Sequence, residues 1–292
     1  MNKKYIFLVN SGSKEVNDDF VNKLEKLLSK KKNTELIVLI KGQELESTLS
    51  KLPINTSTVL VACGGDGTLK TVAEKSIEKN CYLGVIPAGT YNHFAKTMGI
   101  SLSLNKAIKN LYDTARLRYI DVGKVNNNIF LNNSSVGLYS RLVKKREYWE
   151  SKNVPKIIAM ILAGFWLMFH MHRLHYKIKI NNNLIDSKFS LIFIGNGLYQ
   201  YANGSFSRRK TTNNKLMLYL FGGTNIFDLI KSVHFLVTGR GNKLKIIKEI
   251  ECDSFTLYSS KQELSVALDG EVIKAKTPLK YTFDPKVLKL LS

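Results

Sequence analysis

The apolar run Val59-Leu60-Val61-Ala62 passes through Cys63 straight into Gly64-Gly65-Asp66-Gly67-Thr68, and a helical pattern over 68–78 follows at once. A short, unbroken apolar run ending in glycines is what a buried strand needs when its loop must let something approach the backbone. Its surroundings share the same grammar. Apolar runs at 5–9, 36–40 and 82–86 alternate with helical spacing at Phe20, Leu24, Leu27 and Leu28 and with a second helix over 44–52. Strands alternating with helices imply a three-layer α/β domain, a mostly parallel sheet with helices on both faces.

From about residue 120 the pattern changes. Short runs at 122–125, 129–132, 176–180, 190–194 and 215–221, then at 244–250, 254–258, 264–268 and 280–283, read as strands joined by polar turns. Asn126-Asn127-Asn128 and Asn181-Asn182-Asn183 read as hairpin turns, because Asn tolerates positive φ. This half is expected to form an antiparallel β-sandwich with one helical insertion over 155–170. The expected domains are 1–120 and 121–292, with the last residues able to return to the first domain.

Lys and Arg number 44 against 23 Asp and Glu, a formal net charge of +21. Such an excess favours polyanions: nucleic acid, anionic lipid or phosphorylated ligands. The aromatic residues are dispersed rather than arrayed beside basic neighbours as a stacking platform, which argues against nucleic acid. Cys63, Cys81 and Cys252 are too scattered for a disulfide framework or a C-x-x-C metal site and suit a reducing compartment. The first apolar run is too short for a signal peptide. The longest, 157–169, falls short of the roughly 20 residues that span a bilayer. A cytoplasmic protein is expected.

Glycines after a parallel strand, followed by a helix N-terminus, suit a phosphate: the first helical N–H groups and the positive end of the helix dipole point at it. Asp66 repels a polyphosphate unless it binds Mg²⁺ or accepts a proton from an attacking hydroxyl. A structural turn capped by Asp66 or Thr68 is the alternative. No G-x-x-x-x-G-K-[ST] occurs, so this is not a Walker-type P-loop, and the lack of a G-x-G-x-x-G after the first strand argues against a standard dinucleotide fold. A second glycine loop, Ala88-Gly89-Thr90-Tyr91-Asn92, ends the next strand.

The stretches Val61-Ala62-Cys63-Gly64-Gly65-Asp66-Gly67-Thr68-Leu69 and Ile86-Pro87-Ala88-Gly89-Thr90-Tyr91-Asn92-His93-Phe94-Ala95-Lys96, with the late Leu268-Asp269-Gly270-Glu271, resemble the soluble bacterial diacylglycerol kinases and their sphingosine-kinase relatives. The resemblance implies an ATP-binding α/β domain, a β-sandwich lipid-substrate domain and an active site in the cleft between them. It implies ATP as donor, Mg²⁺ as cofactor and a lipid hydroxyl as acceptor, diacylglycerol or a related lipid. ATP would be held at Asn10, Ser11, Gly12, Ser13 and Lys14, at Gly64, Gly65, Asp66, Gly67, Thr68, Leu69 and Lys70, and at Gly89, Thr90 and Asn92. Glu271 would accept the proton, with Asp66 at the reacting phosphate and its Mg²⁺.

The sequence departs from the family pattern in three places. The first turn, Asn10-Ser11-Gly12, lacks the usual Pro. His93 stands where an Asp is common. The stretch Thr212-Asn213-Asn214-Lys215-Leu216 lacks the carboxylates that hold a structural Mg²⁺ in relatives, so that metal site is not expected. These departures keep open a catalytically silent lipid-binding protein of the same family. An NAD kinase or phosphofructokinase-like enzyme also uses a GGDG loop, but lacks the 88–96 stretch and the late D-G-E.

For lipid access, the apolar block 157–169 with His170, Arg173 and His175 reads either as a helix buried in the sandwich or a dimer contact, or as an interfacial helix or acyl-chain wall. Lys144-Lys145-Arg146 and Arg208-Arg209-Lys210 read as solvated surface or as contacts to anionic headgroups. Peripheral contact with an anionic membrane at its inner face is the expectation, and a sandwich edge strand is a candidate homodimer contact.

Overall fold

The structure, a computed structural model, describes residues 3–13, 15–40, 44–170, 173–197, 199–202, 205–208, 215–223, 227–228 and 247–292. The chain divides into two compact units, Met1–Val122 with Pro285–Ser292, and Gly123–Asp284.

In the first unit, β1 (Lys4–Asn10), β2 (Thr34–Leu39), β3 (Thr58–Gly64) and β4 (Tyr82–Pro87) pair in parallel in the order β2-β1-β3-β4. The end of the last strand (Leu279–Leu291) extends the sheet beside β4 through Lys289 and Leu290. Every residue of β3 is buried, because helices cover both faces. Phe7, Val9, Val61, Cys63 and Ile86 form one layer with Leu24 and Leu28 of α1 (Asp18–Leu28). The alternate residues Ile6, Leu8, Leu60 and Ala62 are equally buried. On β3 and β4 also packs α3 (Asp66–Glu78), which touches α2 (Leu45–Lys51). Asn17 caps α1 by accepting the Phe20 N–H at 2.9 Å, with Asp18 and Asp19 at the positive end of the dipole.

Between β4 and residue 120 the sequence predicts no helix, and the structure has two short ones, α4 (His93–Thr97) and α5 (Leu104–Lys109), the second running into a π-helical turn, Asn110–Thr114. Segments this short carry too few turns to show a period.

The second unit is antiparallel. One sheet contains β7 (Asn133–Gly137), β10 (Leu191–Asn196), β13 (Leu216–Phe221), β14 (Ile247–Cys252), β16 (Glu263–Leu268) and β17 (Glu271–Lys276), in the order β14-β13-β10-β7-β16-β17. The other is built from β8 (Leu174–Ile180), β9 (Asn183–Phe189), β15 (Ser254–Tyr258) and the first half of the last strand, β18. A hairpin of β5 (Leu117–Val125) and β6 (Asn128–Phe130) joins it. Between the sheets, Phe130, Ile192, Leu218, Leu257 and Val266 share one core. There Tyr281 stacks on Phe255 at 4.6 Å while its hydroxyl meets Ser134 Oγ at 3.1 Å. Asn126 and Asn181 take positive φ in the two expected hairpin turns. A small hairpin of β11 (Tyr199–Ala202) and β12 (Ser205–Arg208) was not expected. The start of the strand expected at 244–250 lies outside the described residues.

Two helices interrupt the strands: α6 (Leu138–Glu150) and α7 (Lys156–Phe169). The sequence showed only the second, because α6 buries just Leu138, Ser140 and Val143 and otherwise reads as charge. It packs on β7, β16 and β17, and α7 packs on α6. The burial of α7 departs from the buried-helix alternative. Ala159, Ala163 and Leu167 are buried, but Ile157, Ile161, Phe165 and Phe169, four residues apart, are 77%, 64%, 62% and 71% exposed. Among the described residues no helix is long and apolar enough to cross a membrane.

The Leu60 side chain is fully buried in the parallel sheet. Leu60→Ala should therefore destabilise the first unit by about 2–5 kcal/mol, read as a lower urea midpoint.

Candidate functional site

Three loops leave the carboxyl ends of neighbouring parallel strands, β1, β3 and β4, and their side chains tie them together. Asn10 donates from Nδ2 to Thr68 Oγ1 at 2.9 Å and accepts the Gly12 N–H on Oδ1 at 2.9 Å. The Gly65 N–H donates to Ser13 Oγ at 3.3 Å, and the Ala88 N–H to the Gly64 carbonyl at 2.9 Å. Ser11 turns away, donating from Oγ to the Leu39 carbonyl at 2.6 Å. Lys14 lies outside the described residues.

The β3 and β4 loops approach as only glycines allow. A Cβ on Gly89 would lie 2.4 Å from Gly65 Cα, and one on Gly64 would lie 2.8 Å from Thr68 Oγ1. Asn92, in left-handed conformation at φ 50°, locks the second loop: Oδ1 accepts the Gly89 N–H at 3.0 Å and Nδ2 donates to the Gly89 carbonyl at 2.8 Å. Its side chain thus builds the loop. Thr90 is exposed, whereas Thr68, Leu69 and Lys70 are buried.

Asp66 opens α3, and its carboxylate faces the start of α4. It accepts the N–H groups of His93 at 3.3 Å and Phe94 at 3.4 Å, a negative charge at a helix N-terminus. The His93 ring is exposed and stacks on Tyr91, with centroids 5.5 Å apart. The first N–H groups of α3, at Asp66, Gly67 and Thr68, have no acceptor within their own helix, which leaves donors converging beside the glycines.

The D-G-E element belongs to the second unit. Asp269 and Gly270, at φ 50° and 96°, form a two-residue hairpin turn closed by the Leu268–Glu271 pair. The Asp269 carboxylate accepts the N–H groups of Leu131, Asn132 and Asn133 at 2.7, 2.7 and 3.0 Å, anchoring the hairpin to the β6–β7 connection. Glu271 is the next residue, exposed at the start of β17. Sequence reasoning treated the element as one motif and missed the structural role of Asp269. The Asp-Gly dipeptide between two apolar runs was the signal for it.

The basic cluster on α6 proves heterogeneous. Arg146 pairs with Glu150 at 3.2 Å, while Lys145 Nζ stands 4.5 Å, 5.5 Å and 5.3 Å from the ring centres of Tyr148, Trp149 and Trp166. Arg209, Lys210 and the stretch 212–214 lie outside the described residues.

An α/β unit with interlocked glycine loops at its strand ends, followed by an antiparallel sandwich, is the class this fold defines. Residues 4–125 match the diacylglycerol kinase catalytic domain. It is 28% identical over 236 residues to a Pseudomonas aeruginosa protein named a probable YegS-like lipid kinase, covering 79% of this chain and 75% of that one. It is 30% identical over 139 residues to a diacylglycerol kinase of Staphylococcus aureus, covering 47% of this chain and 44% of the other. A solved diacylglycerol kinase structure from Bacillus anthracis superposes with a TM-score of 0.72 at 18% identity, covering 99% of this chain and 96% of that one, which speaks for the fold.

The two close glycines are not equivalent. A Cβ on Gly65 would sit 3.5 Å from Gly89 Cα, an ordinary contact, against 2.4 Å for the reverse. Gly89→Ala should cost about 1–3 kcal/mol and Gly65→Ala well under 1, measured by urea unfolding of the two variants.

Proposed function

We propose that the chain transfers the γ-phosphoryl group of ATP to a lipid hydroxyl, diacylglycerol or a related lipid. The interlock of the β1, β3 and β4 loops around the N-terminus of α3 carries this reading, because it presents fixed N–H donors where a polyphosphate needs them. Residues 1–120 would bind the nucleotide through the loops at 10–14, 64–70 and 89–92, and residues 121–292 would receive the lipid.

The residues present fit Mg²⁺. The ion takes one or two carboxylates together with substrate phosphates, and Asp66 supplies a carboxylate beside the phosphate donors. The ion would neutralise charge on the transferred group. Glu271, exposed and held by a rigid turn, takes the acceptor hydroxyl proton. The acceptor oxygen then bonds to the γ-phosphorus as the bond to the bridging oxygen of ADP breaks, and ADP leaves. Asp269 is a positioning residue for Glu271.

The exposed stripe of α7 supports peripheral membrane contact. Ile157, Ile161, Phe165 and Phe169 would enter the interface, with Lys145 and its aromatic neighbours at headgroup level. Arg146, already paired with Glu150, would add little.

Incubation with labelled ATP, Mg²⁺ and mixed micelles of diacylglycerols, sphingoid bases and isoprenoid alcohols tests the chemistry. Asp66→Asn and Glu271→Gln should each lower kcat by about 10²–10⁴, with Glu271→Gln leaving ATP affinity unchanged. Wild-type rates in both variants would refute the assigned roles, and ATP binding with no transfer to any lipid would favour the silent lipid-binding alternative.

Vesicle flotation tests the docking face. Binding should rise with anionic lipid and fall with salt, and Ile161→Ser with Phe165→Ser should weaken it tenfold or more, since burying each side chain is worth about 1.5–3 kcal/mol. Unchanged binding in the double variant would exclude α7 as the contact.

A further inference from the structure

Helices α6 and α7 carry more positive charge than their own acids can match. The carboxylates of α6, Glu147 and Glu150, both lie against Arg146, at 3.5 and 3.2 Å, and α7 has no acid in its sequence. Lys144 donates to Ser265 Oγ. Lys145 pairs with no carboxylate among the described residues, and aromatic rings hold its ammonium instead.

Those rings fix where the charge stands. Lys145 and Arg141 are four residues apart on α6, the spacing that sets two side chains next to each other. Both reach the same indole of α7: Lys145 Nζ stands 5.3 Å and Arg141 Cζ 5.5 Å from the Trp166 ring centre. Trp166 is itself held, with the His170 ring stacked on it at 4.2 Å and His170 Nδ1 2.8 Å from the Trp166 carbonyl. Arg141 donates from Nη1 to the His170 carbonyl at 3.0 Å, which ties the start of α6 to the end of α7. A ring face steadies a cation but leaves its full charge in place. Arg141, Lys145 and Trp166 are all half-buried, so each keeps an edge in solvent.

The pair borders an apolar edge. Phe165 and Phe169 of the exposed α7 stripe are the chain neighbours of Trp166 and His170. A lipid whose chains lie along that stripe brings its headgroup to the level of Trp166, where aromatic rings and snorkelling cations meet an interface. Headgroups differ in what they offer two cations. A phosphodiester presents a single charge. A phosphomonoester carries about −1.5 to −2 near neutral pH and three terminal oxygens, enough for an ammonium and a guanidinium together.

We infer that Arg141 and Lys145, aligned on Trp166, form a headgroup site that selects a phosphomonoester lipid over phosphodiester lipids of the same surface charge. This rests on the docking reading of α7 and adds to it the class of lipid bound. The transfer proposed above makes a phosphomonoester lipid, so the site would hold the chain on a membrane where it has already acted.

Flotation of the full chain with two sets of vesicles of matched surface potential tests the selectivity, one containing phosphatidic acid and the other phosphatidylglycerol. The wild type should bind the first about tenfold more tightly, the effect of one further charge-assisted hydrogen bond. Lys145→Gln should abolish the difference and Lys145→Arg should keep it, whereas Ile161→Ser with Phe165→Ser should weaken binding to both sets alike. Equal wild-type binding to the two sets, or a preference unchanged in Lys145→Gln, would overturn the inference while leaving α7 docking intact. No binding to either set would remove the docking reading and this inference together. Release by glycerol 3-phosphate at the concentration of accessible phosphatidic acid would assign the pair to a soluble phosphomonoester and overturn the lipid site.

Discussion

A methyl group on Gly89 would fall 2.4 Å from Gly65 Cα, and much of the first unit follows from that contact. It requires β3 and β4 to be neighbours with their loops folded toward each other, which the parallel register from Val59–Tyr82 to Gly64–Pro87 provides. Once the backbones touch, the start of α3 and the left-handed residue Asn92 are fixed together. Holding a non-glycine residue at positive φ costs of order 1 kcal/mol or more, and the two hydrogen bonds between Asn92 and Gly89, one donated by each, offset it. The same close approach leaves Gly65, Asp66 and Gly67 at the start of α3 half-buried.

The two units use carboxylates differently: in the second one acid builds while another stays exposed, and in the first a single acid serves two helix starts. In the second unit Asp269 is consumed by three backbone N–H groups, and Glu271, two residues on, is exposed. In the first, Asp66 opens α3 and its carboxylate also caps α4, so its position is coupled to that of a five-residue helix. His93 reaches Asp66 through its backbone N–H, a contact that any residue other than proline at 93 can make.

The layered first unit was legible because β1, β3 and β4 are buried apolar runs ending at Asn10, Gly64 and Pro87, and α1 has a clear period with an Asn cap. The antiparallel second unit was legible from short strand-like runs joined by polar turns and from Asn126 and Asn181 in the hairpin turns. What failed were segments whose signal is weaker than their tertiary contacts. Helix α6 hides its few buried residues among lysines and arginines, and α4, α5 and the π turn are too short for periodicity. Within the site, the glycines and Asp66 could be named from sequence. The loop-building hydrogen bonds of Asn10, Asn92 and Asp269 could not, because they depend on which groups the fold brings within 3 Å. Similarly, the apolar block of α7 showed its composition but not which face α6 would cover.

The central claim is that the interlocked loops of the first unit are the nucleotide site. Amide hydrogen exchange of the full chain with and without Mg²⁺ and ATP tests it most directly. The account predicts slower exchange at 64–70 and 88–92, extending to the first residues of α4. Protection absent from these loops at saturating nucleotide, or confined to residues beyond 123, would contradict it.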